Sequence, residues 1–279
     1  MPNAKQNPQP ILVTGGTGKT GRRVAARLGD LAHPVRLGSR TGTPPFSWED
    51  PATWEPALEG VGGLYLSYQP DLAVPGAAET VGRFARTAAD LGVQRVVLLS
   101  GRGEEGALAA ERAVADAGAE WTVVRSAFFA QNFSESFLLP QVLAGDLALP
   151  VGGVREPFVD AGDIADVAVA ALTRPGHAGA VYELTGPRAL SFGEAAAEIS
   201  GATGRTVGFT GITHEDFAGA LAEEGVPAEV GTMLGGLFAV VLDGRNSHTA
   251  DGVQRALGRP PKDFAAYARE VAGTGLWTP

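Results

Sequence analysis

One stretch of the 279-residue chain decides the fold: Ile11-Leu12-Val13-Thr14-Gly15-Gly16-Thr17-Gly18-Lys19-Thr20-Gly21-Arg22-Arg23-Val24. Its first four residues are apolar or β-branched and predict a short buried strand. Three glycines with the spacing GxxGxxG follow, and the residues after them predict the start of a helix. A strand, a glycine turn and a helix in this order predict a site for the diphosphate of a dinucleotide.

Each glycine of this turn has a separate physical role. Gly15 can adopt backbone angles that a β-carbon forbids, and Gly18 lets the backbone approach a pyrophosphate. Gly21 lets the helix pack closely on the sheet, and amides at the helix start favour an anion. The residues of this stretch that we predict to bind the cofactor are Gly15, Thr17, Gly18, Lys19, Thr20 and Gly21.

The rest of the first two-thirds alternates short apolar runs with helical patterns, which is typical of a parallel sheet with crossover helices. Strands are predicted at 11–14, 34–37, 63–67, 95–100, 122–125 and 181–184. Helices are predicted at 20–29, 75–92, 105–118, 163–173 and 191–203, with Asp163 as the N-cap of the fourth. The predicted fold class is therefore α/β, a Rossmann-type doubly wound parallel sheet with a small, mainly helical C-terminal lobe.

Two segments interrupt the alternation and suggest how the chain is divided. We expect a nucleotide-binding domain at 10–204, in which the insertion 131–158 contributes to a substrate lobe. The segment 205–279 is expected to form the smaller lobe, with helices near 213–222, 227–241, 250–257 and 262–272. Ligands of such sheets bind outside the carboxyl ends of the strands, where these late segments could cover them.

The end of the second strand indicates which dinucleotide is bound. NAD enzymes usually have an acidic residue there, which accepts a hydrogen bond from the ribose 2′-hydroxyl. Here the chain reads Leu37-Gly38-Ser39-Arg40, with no acid. Arg40 offers a planar fork of donors for a 2′-phosphate and Ser39 a further hydroxyl, so NADP(H) is the predicted cofactor.

Composition excludes several other classes of function. The net charge of −9 argues against a nucleic-acid partner. The chain has no cysteine, and its four histidines are scattered, so no metal site is predicted. No stretch approaches the roughly 18 apolar residues of a membrane span, so we expect a cytoplasmic protein, monomeric or homodimeric, without a membrane partner.

Three further stretches, with the glycine turn, carry a family resemblance. They are Glu120-Trp121-Thr122-Val123-Val124-Arg125-Ser126-Ala127-Phe128-Phe129-Ala130-Gln131-Asn132-Phe133, Phe158-Val159-Asp160-Ala161-Gly162-Asp163-Ile164-Ala165-Asp166-Val167-Ala168 and Leu257-Gly258-Arg259-Pro260-Pro261. From Ile11 to about Val271 the chain resembles the NmrA-like atypical short-chain dehydrogenases. The turn is similar to that of bacterial relatives of the festuclavine and agroclavine dehydrogenases.

The resemblance implies further cofactor contacts and one absence. Ser67 and Tyr68, with Ser100 and Gly101, are implied to lie along the cofactor, and Ala127, Phe128 and Phe129 beside the nicotinamide. Ser47 stands where family members often have an adenine-binding Asp. The Tyr-x-x-x-Lys pair of typical short-chain dehydrogenases is missing from 102–112.

Without that pair, hydride transfer suits acceptors that are already activated: iminium ions, quinones or conjugated enones. We expect a small aromatic or heterocyclic substrate and an NADPH-dependent reductase, with Tyr68 and Ser100 as candidate catalytic proton donors. A non-enzymatic NADP(H) sensor and a non-redox isomerase or cyclase remain alternatives. Arg125 is expected in a structural ion pair rather than on substrate. His214 and His248 are expected at the surface.

Overall fold

The computed structural model describes residues 9–223, 225 and 227–278. The strands are β1 (Ile11–Thr14), β2 (Val35–Gly38), β3 (Gly63–Leu66), β4 (Arg95–Gly101), β5 (Glu120–Ser126), β6 (Asp146–Leu149), β7 (Arg155–Glu156), β8 (Ala180–Leu184), β9 (Leu190–Ser191) and β10 (Gly208–Gly211). The helices are α1 (Gly21–Asp30), α2 (Trp54–Leu58), α3 (Ala77–Asp90), α4 (Glu105–Ala115), α5 (Asn132–Glu135), α6 (Leu138–Ala144), α7 (Ala161–Thr173), α8 (Phe192–Thr203), α9 (His214–Glu223), α10 (Ala228–Val241), α11 (Gly252–Leu257) and α12 (Phe264–Gly273).

Six of the strands form one parallel sheet in the order β2-β1-β3-β4-β5-β8. The direction of winding reverses between β1 and β3, which are hydrogen-bonded neighbours, with Ile11 beside Gly63. In open α/β sheets such a reversal opens a crevice at the carboxyl ends of the strands, where ligands bind. All six predicted strands and the α/β fold class are confirmed.

Helices cover both faces of this sheet because side chains alternate along each strand. Leu12 points into a core shared with α2, α3 and α4, while its neighbours Ile11 and Val13 pack with α1, α7 and α11 on the other face. All three are at most 5% exposed. This two-sided burial explains why the strands are almost wholly apolar.

A third, phenylalanine-rich core lies apart from the sheet. The insertion contributes Phe133 and Phe158, and the later chain contributes Phe192, Phe217 and Phe264. The two parts are also joined through their backbones, because β6 pairs in parallel with β10, Asp146 lying opposite Gly208. The insertion and the C-terminal segment therefore share one core, while the domain boundary at residue 204 remains a prediction.

The predicted N-cap of α7 is wrong. The helix begins at Ala161, and Asp160 caps it by accepting a hydrogen bond from the Gly162 amide at 2.7 Å. Asp160 can do so because its own backbone is extended, with φ −74° and ψ 129°, as is typical of an N-cap. Asp163 is buried in the first turn and accepts instead from Arg259 Nη1 and the Lys262 amide, each at 2.7 Å.

None of the helices in the described part of the chain has the length and apolarity to cross a bilayer.

Candidate functional site

The turn between β1 and α1 is built from close backbone contacts. Gly15 has a φ of +62°, in the left-handed region that favours glycine. Its carbonyl accepts from the Gly18 amide at 2.9 Å. A β-carbon on Gly21 would lie 2.2 Å from the same carbonyl oxygen, so only glycine lets α1 begin this close to the strand.

Thr14 links the two strands that flank the crevice beside this turn. Its Oγ1 accepts from the Ser67 amide at 2.8 Å and lies within donating distance of the carbonyl oxygens of Tyr65 and Ser67. Because Thr14 ends β1 and Ser67 follows β3, these bonds tie together the two strands that flank the reversal of winding.

A cavity of about 420 Å³ runs along the carboxyl edge of the sheet from this crevice. Eleven of the predicted site residues line it: Gly15, Gly18, Lys19, Thr20, Ser67, Tyr68, Ser100, Gly101, Ala127, Phe128 and Phe129. Burial lowers the pKa of the Lys19 ammonium, which lies at the glycine-turn end of the cavity. The structure therefore brings together residues from four separate strand ends.

Four predicted residues lie outside the lining of the cavity. Thr17 is exposed at the tip of the turn, and Gly21 is buried behind it. Ser39 and Arg40 follow β2, next to the end of β1, and Ser39 Oγ lies 3.4 Å from Thr41 Oγ1. The Arg40 side chain is exposed at this edge of the crevice.

The two predicted proton donors have different surroundings. The Ser100 hydroxyl donates to Glu111 Oε1 at 2.6 Å, so its proton points away from the cavity. The Tyr68 ring lines the cavity and packs against Trp48 with ring centroids 4.9 Å apart. The Ser100 hydroxyl thus donates to a carboxylate, whereas the Tyr68 hydroxyl donates to none in the described part of the chain.

Arg125 is part of an ion-pair cluster behind Ser100. Its Nη2 lies 2.5 Å from Glu111 Oε2, and its Nη1 lies 2.8 Å from Glu183 Oε1. Ser100 and Arg125 therefore share the Glu111 carboxylate, whose side chain is 8% exposed. The expected structural ion pair is present, and it rigidifies the ends of β4 and β5.

Aromatic side chains form one wall of the cavity. Phe128, Phe137 and Phe238 all line it, and the Phe137 and Phe238 ring centroids are 5.9 Å apart. Phe133 is fully buried in the core instead. Both His214 and His248 are exposed, although His248 Nε2 lies 2.7 Å from Arg102 Nη2.

The cavity also contains acidic groups that the sequence analysis missed. Glu156 is 3% exposed, and burial raises its pKa to about 7. Glu104 also lines the cavity, and its pKa is raised to about 8 chiefly by burial, and further by the charge of the neighbouring Asp71 and a hydrogen bond between the two carboxyl groups. No local pattern marks these residues, since tertiary folding alone brings them to the sheet edge.

The Glu104–Asp71 pair makes stability depend on pH. Between the ordinary glutamate pKa of 4.5 and about 8, the folded protein retains a proton that the unfolded chain has released. Stability attributable to this pair should therefore fall as pH rises through that window. We expect Glu104→Gln, whose amide can still donate to Asp71, to raise the melting temperature relative to wild type at about pH 8 but not at about pH 5.

Thermal unfolding followed by circular dichroism at both pH values measures this difference. The matched control is Glu105→Gln, which changes the adjacent, exposed glutamate outside the cavity and should show no such pH dependence. A Glu104→Gln shift that is the same at both pH values would contradict the shared proton.

Known proteins resemble this chain along nearly its whole length. No protein-family model matches it. The uncharacterised oxidoreductase YesF of Bacillus subtilis is 34% identical, over 98% of this chain and 99% of YesF. Agroclavine dehydrogenase of Claviceps fusiformis is 31% identical, over 93% of this chain and 96% of the relative.

A solved structure has the same fold. The quinone oxidoreductase QOR2 of Escherichia coli, crystallised with NADPH, superposes with a TM-score of 0.78 and 22% identity, over 94% of this chain and 99% of the other. Both relatives named above are more than 30% identical and extend the resemblance to nearly the entire sequence. The chain belongs to the NmrA-like atypical short-chain dehydrogenase/reductase family.

Proposed function

We propose that the protein is an NADPH-dependent reductase that transfers a hydride to an activated small-molecule acceptor. The observation that carries this proposal is the cavity that starts at the glycine turn and ends at the aromatic wall, because it offers a phosphate site and an acceptor site on one sheet edge. The names of the relatives support it: one is called an oxidoreductase and another a dehydrogenase of an alkaloid, agroclavine.

The residues at the turn fit a dinucleotide. A β-carbon added to Gly18 would lie 3.2 Å from the Gly15 carbonyl oxygen, and apart from its chain neighbours no other heavy atom of the described residues would lie within 4 Å of it. A phosphate can therefore approach bare backbone. The first-turn amides of α1 and the Lys19 ammonium supply positive potential at the same place. Gly15, Thr17, Gly18, Lys19, Thr20 and Gly21 would hold the diphosphate, and Ser67, Gly101 and Ala127 would flank the remainder.

Arg40, with Ser39, would bind the 2′-phosphate. Arg40 is exposed beside the crevice, and the structure gives it no ion pair with any described carboxylate. We expect Arg40→Glu to weaken NADPH binding by roughly a hundredfold and NADH binding by only a few-fold, because a charge-assisted bidentate contact is replaced by repulsion.

Calorimetric titration with each nucleotide measures both affinities. Arg86→Glu, which makes the same charge change at an exposed position of α3, is the matched control and should leave both nearly unaltered. Equal losses for NADPH and NADH in Arg40→Glu would contradict the assignment of Arg40.

The bound nicotinamide would supply the hydride, and the protein would orient the two reactants and exclude water. Phe128, Phe137 and Phe238 offer flat apolar surfaces to an aromatic or heterocyclic acceptor. We propose iminium ions, quinones and conjugated enones as the acceptor class, because the Tyr-x-x-x-Lys pair is absent from the chain around α4.

The experiment that tests the function is NADPH oxidation against a panel of these three acceptor types. Turnover of at least one, with saturable dependence on its concentration, is the expected result. Binding of NADP⁺ and NADPH without any turnover would favour the redox-sensor alternative. Conversion of an acceptor without NADPH consumption would favour an isomerase or cyclase.

A further inference from the structure

Glu156 is fixed beside the aromatic wall by the backbone on both of its sides. In β7 it pairs with Leu190 of β9. Three residues later the chain bridges to the segment after β5: Val159 donates to the Phe128 carbonyl at 3.0 Å, and Ala130 donates to the Val159 carbonyl at 2.8 Å. The Glu156 side chain thus has one defined position, next to Phe128.

The two oxygens of this carboxyl group differ. Oε1 accepts from the Phe128 amide at 3.2 Å. Oε2 is buried without a hydrogen-bond partner among the described residues, and Glu156 lines the cavity. Buried polar atoms are nearly always paired, and an unpaired one at a cavity wall is suited to pair with a ligand.

Few charged groups of the described residues lie near Glu156, and the cation that acts on it is bonded to other groups. The charged group that acts on it is the Arg102 guanidinium, which is itself occupied by the carbonyl oxygens of Asn246 and His248 and by Glu183. The segments 127–130 and 190–192 beside it are uncharged. The other residue of β7, Arg155, pairs with Glu194.

Burial is therefore the strongest influence on the Glu156 carboxyl group, and it raises the pKa of this group to about 7. At neutral pH a large fraction of the protein molecules carries a proton on Glu156.

We propose that Glu156, rather than the sequence-predicted hydroxyls of Tyr68 and Ser100, is the catalytic proton donor for neutral acceptors such as quinones and conjugated enones; this inference rests on the proposed reductase function. The hydride would come with the electron pair of a nicotinamide C–H bond, which breaks as NADPH is oxidised to NADP⁺; it forms a C–H bond at the electrophilic carbon, and the π electrons of the acceptor move to its oxygen. The O–H bond at Glu156 Oε2 then breaks, and its proton forms the O–H bond of the resulting enol. A solvent proton, the one consumed in the net reduction, restores the carboxyl group.

A cationic acceptor has a different requirement. Hydride addition to an iminium carbon gives a neutral amine directly, so no proton is needed. The Glu156 proton should therefore affect the rate at which quinones and enones are reduced, and it should not affect the rate at which iminium cations are reduced. Ser100 is a poor substitute as donor because its hydroxyl proton is donated to Glu111, and Glu104 is one because it shares its proton with Asp71.

The test compares Glu156→Gln with wild type on a quinone and on an iminium cation. Glutamine keeps the shape but cannot transfer a proton, so the ratio of the quinone rate to the iminium rate should fall by about a hundredfold. The wild-type quinone rate should also decline above about pH 7, and this decline should be absent in the variant. Glu55→Gln, an exposed glutamate of α2 remote from the cavity, should keep both the ratio and the decline.

Titration with NADPH verifies that the variant is folded. If Glu156→Gln binds NADPH and keeps the wild-type ratio and pH profile, Glu156 is not the donor, while the reductase function stands. If wild type reduces neither acceptor, the reductase function fails and the role of Glu156 fails with it.

Discussion

Replacing Gly21 with alanine is expected to lower the free energy of unfolding by about 3 kcal/mol and to abolish nucleotide binding. The new β-carbon would lie 2.2 Å from the Gly15 carbonyl oxygen and 2.7 Å from its carbon, and both are backbone atoms that cannot rotate away. Relief requires α1 to move away from β1, which separates the first-turn amides from the crevice.

The control is Gly29→Ala, in the same helix. Apart from its chain neighbours and the backbone of its own helix, no heavy atom of the described residues lies within 4 Å of the added β-carbon, and the residue is exposed. Because alanine is a better helix former, this variant should gain about 0.5–1 kcal/mol. Urea unfolding and nucleotide titration of both variants measure the two effects. Equal stabilities for the two alanine variants would show that the turn can open without cost.

The second large effect is expected for Arg125→Met. It removes the cation that compensates Glu111, which is buried, and Glu183, which is one-third exposed. An uncompensated buried carboxylate costs about 3 kcal/mol, toward the lower end of the range for broken buried pairs because solvent screens part of the cluster. Ser100 would also lose the fixed position of its acceptor.

A double variant separates the charge effect from lost packing. Adding Glu111→Gln to Arg125→Met removes the orphaned charge and should recover more than half of the lost stability in urea unfolding at neutral pH. The matched control is Arg245→Met, because Arg245 is in an ion pair at the surface. This variant should leave the midpoint of urea unfolding unaltered. No recovery in the double variant would mean that Arg125 acts through packing alone.

Local patterns were sufficient to predict the sheet and the glycine turn that lies at one end of the cavity. The β1 run and its glycines are contiguous, so their geometry follows from chain stereochemistry. The N-cap of α7 was predicted wrongly because Asp160 and Asp163 both precede an apolar stripe. The extended backbone of Asp160, and the contacts of Asp163 with the distant Arg259 and Lys262, distinguish the two.

Glu156 shows what the sequence could not predict. Its neighbours Arg155 and Pro157 form no recognisable pattern, and its position depends on how the insertion returns to Phe128. The same holds for Glu104, whose pKa is raised by burial and further by Asp71 from the loop after β3. Burial of a charge is a property of the assembled core, so local spacing does not encode it.

The pairing of β6 with β10 has a consequence for how the molecule assembles. In the sequence, residue 146 precedes β8 and residue 208 follows it. Pairing β6 with β10 therefore closes a much longer loop of chain than the β1–α1 turn does. Closing a long excursion is slower than closing a short one. The glycine turn should therefore form early in folding, and the part of the protein built by the insertion and the C-terminal segment should be completed last.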